Sequence, residues 1–160
     1  MPLPQPTIRP ATAADVPALL DLVRAAGTLD RHTPYTYWAL VNAGLVLVAE
    51  REGALVGLLT AMRAVEGEAM LLWQVGLREA ERGTGLSQRL LDAFLREAHG
   101  LGVGAITLTI AEDNRASLGM MRRFAERHGF ALEPVGDTAP AASVMALETL
   151  YAMKLTRASV

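Results

Sequence analysis

The sequence predicts an α/β fold: one mixed sheet flanked by helices, in a single domain over residues 1–160. Three observations predict it. Runs rich in Val, Leu, Ile and Thr recur between turn residues, as at 45–52, 70–77 and 105–111. Longer segments carry apolar residues at helical spacing. The two kinds follow the order β-α-α-β-β-β-α-β-α-β-β, whose three successive strands exclude a uniform βαβ alternation.

Each element has a local cause. Residues 7–9 form a short first strand. Thr12 stands three residues before Asp15, a capping-box spacing, and opens a helix with Val16, Leu19, Leu20, Leu22 and Val23 on one face. That face ends near Gly27. Pro34 breaks the mixed polar and aromatic stretch TLDRHTPYTYWAL before a short helix from about Tyr35. The strand at 45–52 turns at Gly53 and pairs back through 54–64 as a hairpin. After the polar loop VEGEA, the strand MLLWQVGL leads toward a helix from Gly85 with Leu86, Leu90, Leu91, Phe94, Leu95 and Ala98 inward. Gly100, Gly102 and Gly104 mark its end. AITLTIA follows, then a helix opened by Asp113 and Asn114 with Met120, Met121, Phe124 and Ala125 inward, closing before Gly129. FALEPV and ETLYAMKL supply the last two strands.

Composition removes several function classes. Hydrophobic residues are 51% and charged residues 20%, a globular balance. A formal net charge of −2 gives no general pull toward nucleic acid or an anionic membrane. The absence of cysteine excludes disulfides, thiolate metal sites and a cysteine nucleophile. His32, His99 and His128 match no zinc spacing, so no metal is expected. MPLPQPTIRP lacks the apolar core of a signal peptide, and no run reaches membrane-spanning length; a cytoplasmic protein is expected.

The chemistry concentrates at ERGTGLSQRLL, residues 81–91, between strand and helix. Glycines there serve a tight turn, or an anion cradle of backbone N–H groups at a helix start. A P-loop needs GxxxxGK[ST], and residues 81–91 contain no lysine. A dinucleotide fingerprint needs a third glycine where Gln88 stands, and a βαβ unit where a hairpin stands.

Arg82-Gly83-Thr84-Gly85-Leu86-Ser87 resembles the Q/R-x-x-G-x-G/A loop of the GNAT family of N-acetyltransferases, with Ser87 in place of the last Gly or Ala. The preceding strand, the following helix and the next strand ending in Asp113-Asn114-Arg115-Ala116-Ser117 keep the family order, so the resemblance covers about residues 7–130. It implies the GNAT fold and acetyl-CoA as co-substrate. Arg82 to Ser87 would hold the pyrophosphate, Gln74, Val75 and Leu77 the pantetheine arm, and Asn114, Ser117 and Met121 further parts of the cofactor.

Shorter stretches are similar to one branch, the L-2,4-diaminobutyrate acetyltransferases of ectoine synthesis. They are Leu29-Asp30, Thr33-Pro34-Tyr35-Thr36-Tyr37, Leu72-Trp73-Gln74-Val75 and Glu148-Thr149-Leu150-Tyr151. This implies a small amine substrate, with L-2,4-diaminobutyrate or a similar diamino acid the first expectation and another amine the alternative. Three departures touch specificity: His32 in place of Asn, Thr107 in place of Glu, and Met145 in place of His. Met121 stands where many members have a tyrosine acid, and cannot donate a proton.

Amine acetylation needs a free nitrogen, a polarised carbonyl and a proton for the thiolate. Asp30, Glu112 and Asp113 are candidates for base or ammonium ligand, Tyr35 for proton donor, and Trp73 for a wall of the substrate site. Residue type alone leaves alternatives. Asp30 also suits a turn, Trp73 a core, Tyr35 and Tyr37 the packing of the short helix, and the histidines surface or capping roles. Two further readings stand beside an enzyme: an acyl-CoA-binding module without turnover, and a homodimer joined through ETLYAMKL.

Overall fold

In the computed structural model residues 1–156 are described; 157–160, the end of the expected domain, lie outside them. The chain falls into two compact units, one of Met1–Met62 with Trp73–Arg96, the other of Arg63–Leu72 with the chain from Glu97 onward.

In the first unit, β1 (Thr7–Pro10) pairs antiparallel with β2 (Leu45–Arg51), and β2 with β3 (Ala54–Arg63). Glu52 and Gly53 both have positive φ, the backbone of a type I′ turn, whose twist matches that of the strands. α1 (Val16–Ala26) follows a 3-10 turn in which the Thr12 N–H donates to the Asp15 carboxylate at 2.7 Å, the expected capping box. Arg9 donates to that carboxylate at 2.8 Å and to Glu50 at 2.8 Å, tying the turn to the sheet. Hydrogen bonding from Arg9 holds the Asp15 pKa down at about 2, against a smaller opposing effect of burial.

α2 (Pro34–Ala43) is longer than the short helix expected from the sequence. Pro34 starts it as the first helical residue, where its missing N–H costs nothing, and Thr33 caps it by accepting from the Thr36 N–H at 3.3 Å. Leu19, Leu22, Tyr37, Val48 and Leu58 are fully enclosed where α1, α2, β2 and β3 meet. β4 (Ala69–Leu77) follows β3 in the sheet order and crosses both units, with residues 73–77 in the first. α3 (Leu86–Gly100) buries Leu86, Leu90, Leu91, Phe94, Leu95 and Ala98, the face read from its spacing.

In the second unit the opening of β4 pairs in parallel with β5 (Ala105–Ala111) through Ala69↔Ala105, Met70↔Ile106 and Leu71↔Thr107. β5 pairs antiparallel with β7 (Glu148–Lys154) over its full length, and β7 with β6 (Glu133–Asp137). One parallel pair beside antiparallel ones makes the sheet mixed, as expected. α4 (Arg115–His128) buries Met121, Phe124 and Ala125 and closes at left-handed Gly129; Met120, expected inward, is only half-buried. β6 begins three residues later than FALEPV suggests. Phe130 stays outside it, its ring against Phe124 at 6.1 Å and His128 at 5.7 Å.

Candidate functional site

The site in the first unit rests on the alternation of β4. Gln74 and Gly76 are buried, while Trp73, Val75 and Leu77 face the other way with partial exposure. Gln74 is 5% exposed, and its Oε1 accepts from the Tyr37 hydroxyl at 3.2 Å and the Thr60 hydroxyl at 3.3 Å. Burial pushes the Tyr37 hydroxyl above its ordinary pKa, an effect its bond to Gln74 partly offsets. The expected cofactor contact at Gln74 is therefore left to its main chain, since the side chain is spent in the core.

Trp73 is 37% exposed, which fits a site wall better than a core aromatic. The half-buried His32 imidazole lies against it, ring centroids 4.6 Å apart. Residues 28–32, which include exposed Asp30, have no regular secondary structure. Leu29 seats this segment on β4: its Cδ1 occupies the space a Cβ at Gly76 would need. Glycine at 76 is what permits that approach. Tyr35 is 73% exposed and its ring pairs with Trp38 at 5.6 Å.

The glycine loop has its own foundation. After β4 a 3-10 turn, Glu79–Glu81, turns Glu81 inward to 3% exposure, where Arg51 grips its carboxylate through both guanidinium Nη atoms. The Glu81 carbonyl accepts from the Thr84 hydroxyl at 2.6 Å and from the Thr84 N–H at 3.4 Å, so Thr84 is committed to holding the turn. Gly83 (φ +75) and Gly85 (φ +84) are left-handed, with nothing within 4 Å of a Cβ built at either. They turn the chain into α3 at Leu86, where the first N–H groups of a helix lack intrahelical partners and favour an anion. Leu86 is itself core, 2% exposed, and Ser87 is half-buried. Arg82 is exposed and donates to the Ala26 carbonyl at 2.6 Å.

The second unit holds the remaining candidates. Asn114 Oδ1 accepts from the Ser117 N–H at 3.2 Å, capping α4. Met121 is 2% exposed and belongs to the core. Glu112 lines an open groove of about 500 Å³ with Asp113, Arg115, Ala146 and Leu147. Thr107 lies mid-β5 opposite Ala152, and Met145 is 43% exposed. Among the described residues no cluster of acids and histidines is placed to hold a metal.

The sequence signals missed the Arg51–Glu81 pair, the Leu29–Gly76 seat and the His32–Trp73 contact. Only the isolated Gly76 within a strand pattern hinted at any of them, as a mark of close approach.

Residues 17–130 match the sequence model of the Acetyltransferase (GNAT) family. The chain belongs to that family. An L-2,4-diaminobutyric acid acetyltransferase of Streptomyces avermitilis is 38% identical over 125 residues, covering 75% of this chain and 70% of that protein. The enzyme of the same name from Halomonas elongata is 32% identical over 124 residues; there the match covers 75% of this chain and spans 65% of the relative's length. A solved structure of diaminobutyrate acetyltransferase EctA from Paenibacillus lautus, in complex with L-2,4-diaminobutyric acid and coenzyme A, superposes with a TM-score of 0.82. It is 25% identical and covers 98% of both chains. The GNAT fold, the acetyltransferase class and the branch resemblance expected from the sequence are all borne out.

Proposed function

We infer that this GNAT acetyltransferase transfers the acetyl group of acetyl-CoA to an amine of L-2,4-diaminobutyrate. The observation that carries the cofactor is the loop at 82–87, two left-handed glycines opening onto the start of α3. A pyrophosphate needs several donors at once. Backbone N–H groups supply them without a desolvated cation, and bonds to a charged group contribute about 1.5–3 kcal/mol each. The substrate follows from the names of the matched relatives, together with an acid and an exposed aromatic, Asp30 and Trp73.

In the reaction a free amine attacks the thioester carbonyl, the C–N bond forms, the C–S bond breaks, and coenzyme A leaves as thiolate. An amine of pKa about 10.4 must lose its proton at neutral pH, a cost of about 4–5 kcal/mol. Asp30 suits the second ammonium and Trp73 the wall beside the reacting end. A main-chain N–H near residues 73–75 suits the carbonyl oxygen. Met121 is buried and carries no proton, which leaves exposed Tyr35 or water to protonate the thiolate.

The protein works as one catalytic domain in the cytoplasm. Among the described residues no helix is long and apolar enough to cross a membrane. Its assembly is a homodimer. β7 has both edges paired within the chain, so a dimer built through a sheet edge uses an edge strand, β1 or β6, and not ETLYAMKL.

Thiol release from acetyl-CoA across a panel of amines tests this reading. L-2,4-diaminobutyrate is expected to give the highest kcat/KM. A clearly better amine would move the chain to the second reading, a GNAT enzyme for another small amine, which His32, Thr107 and Met145 favour. Coenzyme A binding without turnover on any amine would leave a binding module.

A further inference from the structure

We propose that Arg82 is a bridge: its guanidinium joins the diphosphate of the bound cofactor to the main chain at the end of α1, so that cofactor occupancy sets the position of residues 27–33. The proposal rests on the acetyl-CoA reading of the loop.

Ala26 is the last residue of α1, and its carbonyl is one of the four that a helix C-terminus leaves without an intrahelical partner. A cation there also meets the negative end of the helix dipole. Arg82 supplies it from 56 residues away, through Nη2 at 2.6 Å. That single bond uses one of the five N–H groups of a planar fork. Among the described residues Arg82 takes part in no ion pair, and it is exposed beside Gly83 and Gly85, whose surroundings are open. An arginine free of carboxylates, with donors to spare next to a cradle of N–H groups, is suited to a doubly charged anion.

What it would move is equally defined. Gly27 has φ +70 and a long N–H bond to Val23 of 3.4 Å, so the helix end is loosely closed. Beyond it, residues 28–32 have no regular structure and rest on β4 through Leu29 over Gly76 and His32 against Trp73. A guanidinium drawn toward a diphosphate pulls on the Ala26 carbonyl and hence on the root of that segment, four residues before Asp30. Seating the cofactor first would then prepare the amine site, and linkage requires the reverse coupling to be equal.

The test is hydrogen exchange by mass spectrometry with coenzyme A as the probe, after calorimetry has fixed saturating concentrations. In the unaltered chain coenzyme A is expected to slow exchange at residues 27–33 about fivefold or more, the low end of ordinary coupling between sites. Arg82→Leu should still protect residues 83–87 when saturated, yet protect 27–33 less than about twofold by the same scale. Arg82→Lys, which keeps the charge but not the fork, should fall between the two. Failure of the unaltered chain to bind coenzyme A would overturn the cofactor reading and this proposal with it. Binding without protection at 27–33, or full protection there in either variant, would overturn this proposal alone.

Discussion

The glycine loop at 82–87 and the segment at 28–32 are built on opposite principles. The loop is shaped by its main chain: two left-handed glycines turn it into the start of α3, and Thr84 and Glu81 are occupied in holding it. The segment has no regular backbone structure and is held by side chains, Leu29 over Gly76 and His32 against Trp73. A main-chain site keeps working while its side chains drift, provided the glycines stay. A side-chain site changes its ligand with each substitution. Ser87, half-buried at the last position of the loop pattern, changes a side chain where the proposed donors are main-chain groups, whereas His32 changes the ring that lies against Trp73.

The comparison can be broken most forcefully at the foundation of the loop. Glu81→Ala leaves the Arg51 guanidinium, 18% exposed, without its carboxylate. Breaking a buried pair from one side costs about 3 kcal/mol or more, which lowers the melting temperature by roughly 6–12 °C in a chain this size. An unchanged melting curve would mean the loop stands without the pair. Gly76→Ala strikes the segment instead. The new methyl meets Leu29, the segment lifts from β4, and KM for the amine should rise about tenfold, more than that for acetyl-CoA. Leu29→Ala in the same chain should restore most of the loss; if it does not, the seat is not what positions Asp30.

Gly85→Ala is the mirror test. A Cβ at φ +84 costs about 1–2 kcal/mol, and the open surroundings let the loop relax to escape it. Coenzyme A affinity should then fall about tenfold with the amine KM unaltered. The smallest effect belongs to neither region. Asp15 has a folded pKa of about 2 against an ordinary 3.8, so its contribution to stability is present above pH 3.8 and disappears as the pH falls toward 2. Asp15→Asn should flatten that part of an acid denaturation profile and leave both KM values unchanged.

The same contrast explains what could be read from the sequence. Element order follows from local period and turn chemistry, and the loop from the spacing of Gly83 and Gly85, so both were legible. The inward role of Gln74 was not, because an amide within an apolar strand gives no sign of which face it takes until Tyr37 and Thr60 are brought to it. Glu81 and Arg51 are 30 residues apart with nothing local to link them. Likewise, His32 has the composition of a surface residue, and only the fold sets it on Trp73. The shortfall at Met120 is of another kind: the helical period points it inward, but the buried stripe of α4 is narrow enough to leave it at the margin.

The Gln74 amide carries a consequence for the whole of β4. Side chains along a strand alternate, so a shift by one residue would send Trp73 inward and turn Gln74 out. An apolar strand tolerates such an error, since leucine, methionine and valine are nearly interchangeable in a core. Two hydroxyls waiting on the inner side accept only one phase, the one that meets Oε1. Gln74 therefore works as an index mark, and the indole is aimed by a residue that never touches what it aims at.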